Sequence, residues 1–195
     1  MSNAKVKYNF GGGPKHKEGF INVDGLEWEG TTNIKWNLID VPYEFAEDDS
    51  ADEIISIECL EHISFRETMN VLREWRRILK PGGQITIQVP AIDKMCEMFA
   101  SGKVCGCVKH KPTCDEDAKG KKDCWNCKGE GRVSPNRWLF AFTGAQKHRL
   151  DSHLNVFTKD ILEENLKEAG FSDIEVCYDK YEWKLIAKAS KQKVV

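Results

Sequence analysis

The sequence predicts an α/β fold, a doubly wound and mostly parallel sheet of about seven strands finished by an antiparallel hairpin. Three observations carry this reading. Gly11-Gly12-Gly13 follows an apolar opening run, the strand-like Phe20-Ile21-Asn22-Val23 ends in the carboxylate Asp24, and Lys80-Pro81-Gly82-Gly83 opens the β-rich run Gln84 to Val89. In this order they describe an open sheet whose first turn lets a ligand approach the backbone. Its second strand ends in a group suited to a ribose.

The elements follow in turn. Val6 to Phe10, Phe20 to Asp24, Asn33 to Leu38 and Glu53 to Glu58 are short apolar or alternating runs bounded by turn residues, and they read as the first four strands. Phe65 to Leu79 has helical periodicity, with Met69, Leu72, Trp75, Arg76 and Leu79 on one face. Ser64 is its expected N-cap and Glu67 the partner in a capping box. Pro81 and two glycines end it, Gln84 to Val89 is the fifth strand, and Ile92 to Phe99 a short amphipathic helix. Thr158 caps a helix over Lys159 to Ala169, which Gly170 ends. Ile174 to Tyr178 and Tyr181 to Ala187, separated clearly only by Asp179 and Lys180, make the closing hairpin.

Between Gly13 and Asp24 lie only the ten residues Pro14 to Val23, close to the minimum for a parallel crossover. The first helix is therefore expected to shrink to about one turn around Lys15 to Glu18. The segment 102–134 breaks the rhythm of the chain, being rich in Lys, Asp, Gly and Cys with almost no periodic apolar positions. It reads as an insertion within one domain spanning 1–195.

With 41% hydrophobic and 31% charged residues and a formal net charge of -2, the chain fits neither disorder nor a globally basic nucleic-acid binder. No apolar run reaches the roughly 20 residues of a membrane span, and the polar start lacks the core of a signal peptide. A soluble, cytoplasmic protein is expected.

A dinucleotide fingerprint would need a glycine where His16 stands, and a phosphate P-loop would need a Gly-Lys-Ser/Thr that is absent. NAD and ATP are thus disfavoured. Asn9-Phe10-Gly11-Gly12-Gly13 instead resembles the first motif of the class I S-adenosylmethionine-dependent methyltransferases, a Rossmann-like family. Gly19 to Asp24 resembles the second strand of a small bacterial and viral subgroup, and Ser50 to Ile63 resembles the fourth strand followed by the Leu-Glu-His signature, here Leu60-Glu61-His62. The resemblance implies that Gly11, Gly12 and Gly13 cradle S-adenosyl-L-methionine and that Asp24 receives its ribose hydroxyls, as an acceptor-only carboxylate can. Asn37 and Leu38 would lie beside the adenine, Asn37 standing where relatives carry Asp, and Glu58 beside the methionine portion.

Methyl transfer from a sulfonium depends mainly on alignment, so few catalytic residues are expected. His153 precedes Phe157-Thr158 much as a histidine does in relatives. It is a candidate general base or positioning group, or else a residue that holds its loop. Glu61 and His62 follow the fourth strand near the cofactor edge, where fixing the turn is the competing role. His148 and His16 are expected to be exposed, and Asp93 to orient an acceptor or cap a helix.

Cys105, Cys107, Cys114, Cys124 and Cys127 cluster in the insertion, and thiolates from two turns can converge on one tetrahedral Zn2+. Cys124-Trp125-Asn126-Cys127-Lys128-Gly129-Glu130-Gly131 resembles one half-site of the zinc region of DnaJ chaperones. Spacing does not say which four cysteines bind. The reading is therefore an S-adenosylmethionine-dependent methyltransferase with a zinc-binding insertion, its acceptor a small molecule, glycan, nucleic acid or protein. The alternative is an inactive methyltransferase-like module that presents the zinc loop to nucleic acid or protein.

Overall fold

The computed structural model describes residues 5–100, 135–179 and 183–193, and the five clustered cysteines lie outside them. Among the described residues seven strands form a single sheet: β1 Lys7–Phe10, β2 Ile21–Asp24, β3 Ile34–Lys35, β4 Ala51–Ile57, β5 Leu79–Pro90, β6 Ser172–Tyr178 and β7 Lys184–Ser190. Their order is β3-β2-β1-β4-β5-β7-β6. The first five are parallel to one another, while β7 runs antiparallel to both β5 and β6. The predicted mixed sheet and terminal hairpin are thus present. The helices among the described residues are α1 Thr68–Ile78, α2 Ile92–Ala100, α3 Pro135–Thr143 and α4 Lys159–Glu168, with a 3-10 turn at Leu60–His62. Among the described residues no helix is long and apolar enough to cross a membrane.

Alternation along β1 decides what each face meets. Tyr8 and Phe10 turn to a buried apolar layer in which Phe10 stacks on Trp75 of α1 with centroids 5.3 Å apart. Asn9 points the other way and donates to the Asn22 side chain at 2.7 Å, across the register pair Asn9–Asn22. The Asn22 amide then meets His16 Nδ1 at 3.1 Å and the Phe20 carbonyl at 3.2 Å, and its oxygen accepts from Lys17 N at 3.3 Å. A buried polar side chain needs such partners. Here they are supplied by the connection between β1 and β2, which forms turns rather than the expected one-turn helix. Ten residues are too few to leave β1, wind a helix and return in parallel.

Other boundaries moved for similar reasons. β5 begins at Leu79 because the Lys80-Pro81-Gly82-Gly83 segment bulges out of the β4–β5 ladder, with Ala51 pairing Leu79 and Glu53 pairing Gln84. Gly83 passes so close to the neighbouring strand that a Cβ would stand 2.9 Å from the Lys80 carbonyl oxygen and 3.2 Å from that of Ala51. The capping box at Ser64 does not form. Residues 65–67 make a turn before α1, the Ser64 carbonyl accepts from the Glu67 and Thr68 amides, and Glu67 turns its carboxylate to Asn70. Thr158 does cap α4, accepting from Ile161 N at 3.2 Å. Helix α3 is an addition to the sequence reading. Its Trp138 and Ala141 join Met95 and Met98 of α2 in a second, smaller core, where Trp138 stacks on Trp183.

Candidate functional site

A cleft of about 430 Å³ opens outside the carboxyl ends of the parallel strands, where open α/β sheets bind ligands. The ends of four strands contribute. Gly11 and Gly13 come from the end of β1, Asp24 closes β2, Asn37, Leu38 and Ile39 follow β3, and Glu58 and Cys59 follow β4. Gly11 has φ +70°, and a Cβ there would stand 2.3 Å from Cys59 Sγ, so only glycine lets β1 and β4 close at this point. Gly12 does not line the cleft. It packs instead toward the Asn9–Asn22 pair on the other face of the sheet.

Asp24 is held by backbone. Its Oδ2 accepts from Gly13 N at 2.9 Å and its Oδ1 from Leu26 N at 2.8 Å. A carboxylate offers about four lone-pair sites, so two remain for a ligand in the cleft. The Cys59 thiol on the floor is pushed up to about 12 by burial and stays neutral. Leu38 is fixed from the core side: its carbonyl accepts from Tyr43 Oη at 2.9 Å, and Tyr43 Oη accepts from Trp75 Nε1 at 3.1 Å.

The walls include residues that the sequence reading passed over. Trp28 and Leu150 line the cleft, and His148, expected to be exposed, is half-buried against Trp28 with ring centroids 6.1 Å apart. They sit in loops without periodicity. The one available signal was a tryptophan four residues beyond a strand that ends in a carboxylate.

Glu61, His62 and His153 come together although 90 residues of sequence intervene. The Glu61 carbonyl accepts from both Leu154 N at 2.8 Å and Asn155 N at 3.1 Å, pinning the His153 loop to the turn after β4. One ligand atom from each of the three lies within 4.8 Å of the others, and the two imidazoles meet edge to face at 5.0 Å. His62 lines the main cleft. Glu61 and His153 line a small adjoining cavity with Phe142 and Asn155.

Burial dominates the electrostatics here. The Glu61 pKa is raised well above the ordinary carboxylate value, first by burial and then by the charge of Glu58. Burial lowers the pKa of His62 and of His153, so both imidazoles are neutral at pH 7. Glu58 has φ +55°, a left-handed backbone uncommon outside glycine. Its carboxylate is held by Gln88 Nε2 at 3.2 Å and by Lys184 Nζ at 3.2 Å. Asp93, a candidate for orienting an acceptor, accepts from Tyr178 Oη at 2.5 Å, and that bond helps raise the tyrosine to about 12.

A mostly parallel sheet with a glycine-lined cleft and a carboxylate at the end of β2 is the arrangement of the Rossmann-like α/β class. The family described as a methyltransferase domain matches residues 17–176, and the chain belongs to that family. A search of curated proteins finds no match. Among solved structures, the chain is similar to Haemonchus contortus phosphoethanolamine N-methyltransferase 2 in complex with S-adenosyl-L-methionine, with 13% identity and a TM-score of 0.56 over 99% of this chain and 50% of that one. It is likewise similar to a SAM-dependent methyltransferase from Thermotoga maritima, with 12% identity and a TM-score of 0.53 over 98% and 84%. A chain of a Haloferax volcanii complex between a methyltransferase activator and a methyltransferase gives 11% identity and a TM-score of 0.55 over 100% and 85%. The chain spans about half the length of the Haemonchus contortus enzyme. At these identities the likeness is one of fold.

Proposed function

We propose that the chain is an S-adenosyl-L-methionine-dependent methyltransferase whose cofactor lies in the cleft above Gly11 and Gly13. The observation that carries the reading is Asp24, anchored by two backbone amides at the end of β2 with lone pairs to spare at the cleft. The fit is supported by open space at Gly13, where a Cβ would meet nothing within 4 Å, and by a cleft volume within the range of small-molecule sites. Asp24 receives the ribose hydroxyls, and Asn37 and Leu38 flank the adenine. Glu58 and the strand end before Cys59 border the methionine portion, and Gly12 acts by leaving room for the Asn9–Asn22 pair rather than by contact.

When bound, the cofactor supplies a methyl group already activated on a sulfonium. The chain's own residues then orient the acceptor and exclude water. Glu61, His62 and His153 are proposed as the acceptor-side group, two neutral imidazoles and a buried carboxyl at the edge of the cleft. Calorimetry with the purified chain is expected to show S-adenosyl-L-methionine binding, and incubation with acceptor mixtures to release S-adenosylhomocysteine. Absence of binding removes the assignment. Binding without any turnover favours a non-catalytic module.

The proposal keeps one domain with residues 102–134 as its insertion, carrying one Zn2+ on four of Cys105, Cys107, Cys114, Cys124 and Cys127. The support is chemical: a segment so poor in apolar residues gains its ordering free energy from metal binding. Metal analysis of protein purified without chelator is expected to give about one zinc per chain. Excising residues 103–133 behind a short Gly/Ser linker is expected to leave a folded chain that still binds the cofactor. Loss of cofactor binding in that folded variant would instead make the insertion part of the cofactor site.

A further inference from the structure

Among the described residues, Glu61 is a carboxyl group buried without hydrogen-bond partners. Its side chain is 2% exposed, and neither carboxylate oxygen has a hydrogen-bond partner among the described residues. Fold stability alone gives no reason to keep it, because a buried polar group without partners costs free energy whether protonated or charged. Such a group persists where something else fills its valence. The neighbours indicate what that is.

His62 Nδ1 stands 3.1 Å from the Ser152 carbonyl oxygen, so Nδ1 carries the proton and Nε2 keeps its lone pair. That Nε2 lies 4.0 Å from Glu61 Oε1. The His153 ring meets that of His62 edge to face at 5.0 Å. An imidazole whose second N–H is fixed on a backbone carbonyl is the usual form of a metal-binding histidine, since the outer bond sets the tautomer and aims the free nitrogen. The His62 imidazole, that of His153 and one unpartnered carboxylate converge within 4.8 Å. Ligand atoms on a single ion at about 2.0–2.2 Å stand roughly 3–3.6 Å apart, so a small inward movement of side chains completes the site.

We propose that Glu61, His62 and His153 bind one divalent transition-metal ion at the edge of the cleft, with open coordination positions toward the acceptor space. Two imidazoles and a carboxylate form a harder ligand set than clustered thiolates, and this set accepts Mn2+, which thiolates bind poorly. The site is therefore separable from the cysteine-rich segment, and it does not depend on the cofactor assignment.

Metal-stripped full-length chain titrated with Mn2+, followed by loss of the free-ion paramagnetic resonance signal, is expected to take up about one ion per chain. Glu61→Gln and His153→Ala should each weaken uptake by at least about tenfold, since even outer-shell changes cost 10–100-fold. The double variant Cys124→Ala/Cys127→Ala should bind Mn2+ as the unaltered chain does. Absence of Mn2+ uptake by the unaltered chain, or uptake unchanged by both Glu61→Gln and His153→Ala, overturns the proposal, as does loss in the cysteine variant alone. Circular dichroism confirms the fold of each variant, and if Glu61→Gln does not fold, the half-buried His153→Ala decides. No titration contains S-adenosyl-L-methionine, so a negative result leaves the cofactor reading standing, and calorimetry with the cofactor tests that reading separately.

Discussion

Asp24→Ala is expected to weaken S-adenosyl-L-methionine binding by about one to two orders of magnitude. Hydrogen bonds to a charged group are worth roughly 1.5–3 kcal/mol, and each 1.4 kcal/mol is about a factor of ten in affinity. The substitution removes the acceptor for the ribose and also releases Gly13 N and Leu26 N, which the carboxylate holds at 2.9 and 2.8 Å. The fold should survive, because the β2–β3 connection uses the Asp24 carbonyl, which accepts from Trp36 N at 2.9 Å and is unchanged by the mutation. Asp24→Asn separates the two contributions. It keeps an acceptor for one backbone amide but loses the charge, so its affinity should fall between those of the alanine variant and the original. Calorimetry on each variant, paired with a melting curve, checks this. An alanine variant that binds as tightly as the unaltered chain would take the ribose away from Asp24 and the cofactor away from this cleft.

The parts of the fold that could be read from sequence are those in which local pattern and final environment agree. β1, β2 and β4 are short, largely buried runs followed or ended by glycine or an acidic residue, and the carboxylate at the end of β2 stands at the cleft with them. Thr158 and Gly170 bracket α4 through ordinary capping chemistry. The reading fails where tertiary context outweighs local pattern. Pro81-Gly82-Gly83 reads as a turn, yet it lies inside β5 as a bulge because Ala51 pairs on one side and Gly82 N donates to the Lys191 carbonyl at 2.7 Å on the other. Helix α3 runs Trp138-Leu139-Phe140-Ala141-Phe142, almost continuously apolar, so no period separates its buried Trp138 and Ala141 from the exposed Leu139.

The site divides along the same line. Gly11, Asp24, Asn37, Leu38 and Glu58, the residues expected around a cofactor, line one cleft because a sheet delivers its strand ends to one edge. Glu61 and His62 were picked out by their motif and His153 by its place before a helix, but nothing in their spacing says that they touch. Their meeting depends on two backbone hydrogen bonds to a single carbonyl, that of Glu61. A sequence pattern carries no record of such long-range backbone pairing. The loss of a partner for the Glu61 carboxylate is equally invisible until burial is known.

The largest stability effect is expected at Trp75, which is fully buried where α1 meets the sheet. Trp75→Ala should destabilise the chain by about 3–5 kcal/mol through lost transfer free energy and the cavity left behind. For a chain of this length that corresponds to a fall in melting temperature of roughly 6–20 °C. The indole does two separable things. Its ring stacks on Phe10 with planes 1° apart, and its Nε1 donates at 3.1 Å to Tyr43 Oη, which in turn donates to the Leu38 carbonyl at the cleft. Trp75→Phe keeps much of the stack and removes the donor, so its cost should be nearer 1–2 kcal/mol, the range for a lost buried hydrogen bond with some lost volume. Because Tyr43 positions Leu38, Trp75→Phe should also weaken cofactor binding modestly while Asp24 remains in place. Chemical denaturation of the two variants, with cofactor calorimetry on the folded Trp75→Phe chain, measures both effects. A loss below about 1 kcal/mol for Trp75→Ala would mean that the core refills around the cavity. Unchanged affinity in Trp75→Phe would mean that Leu38 is held by its own turn and not through α1.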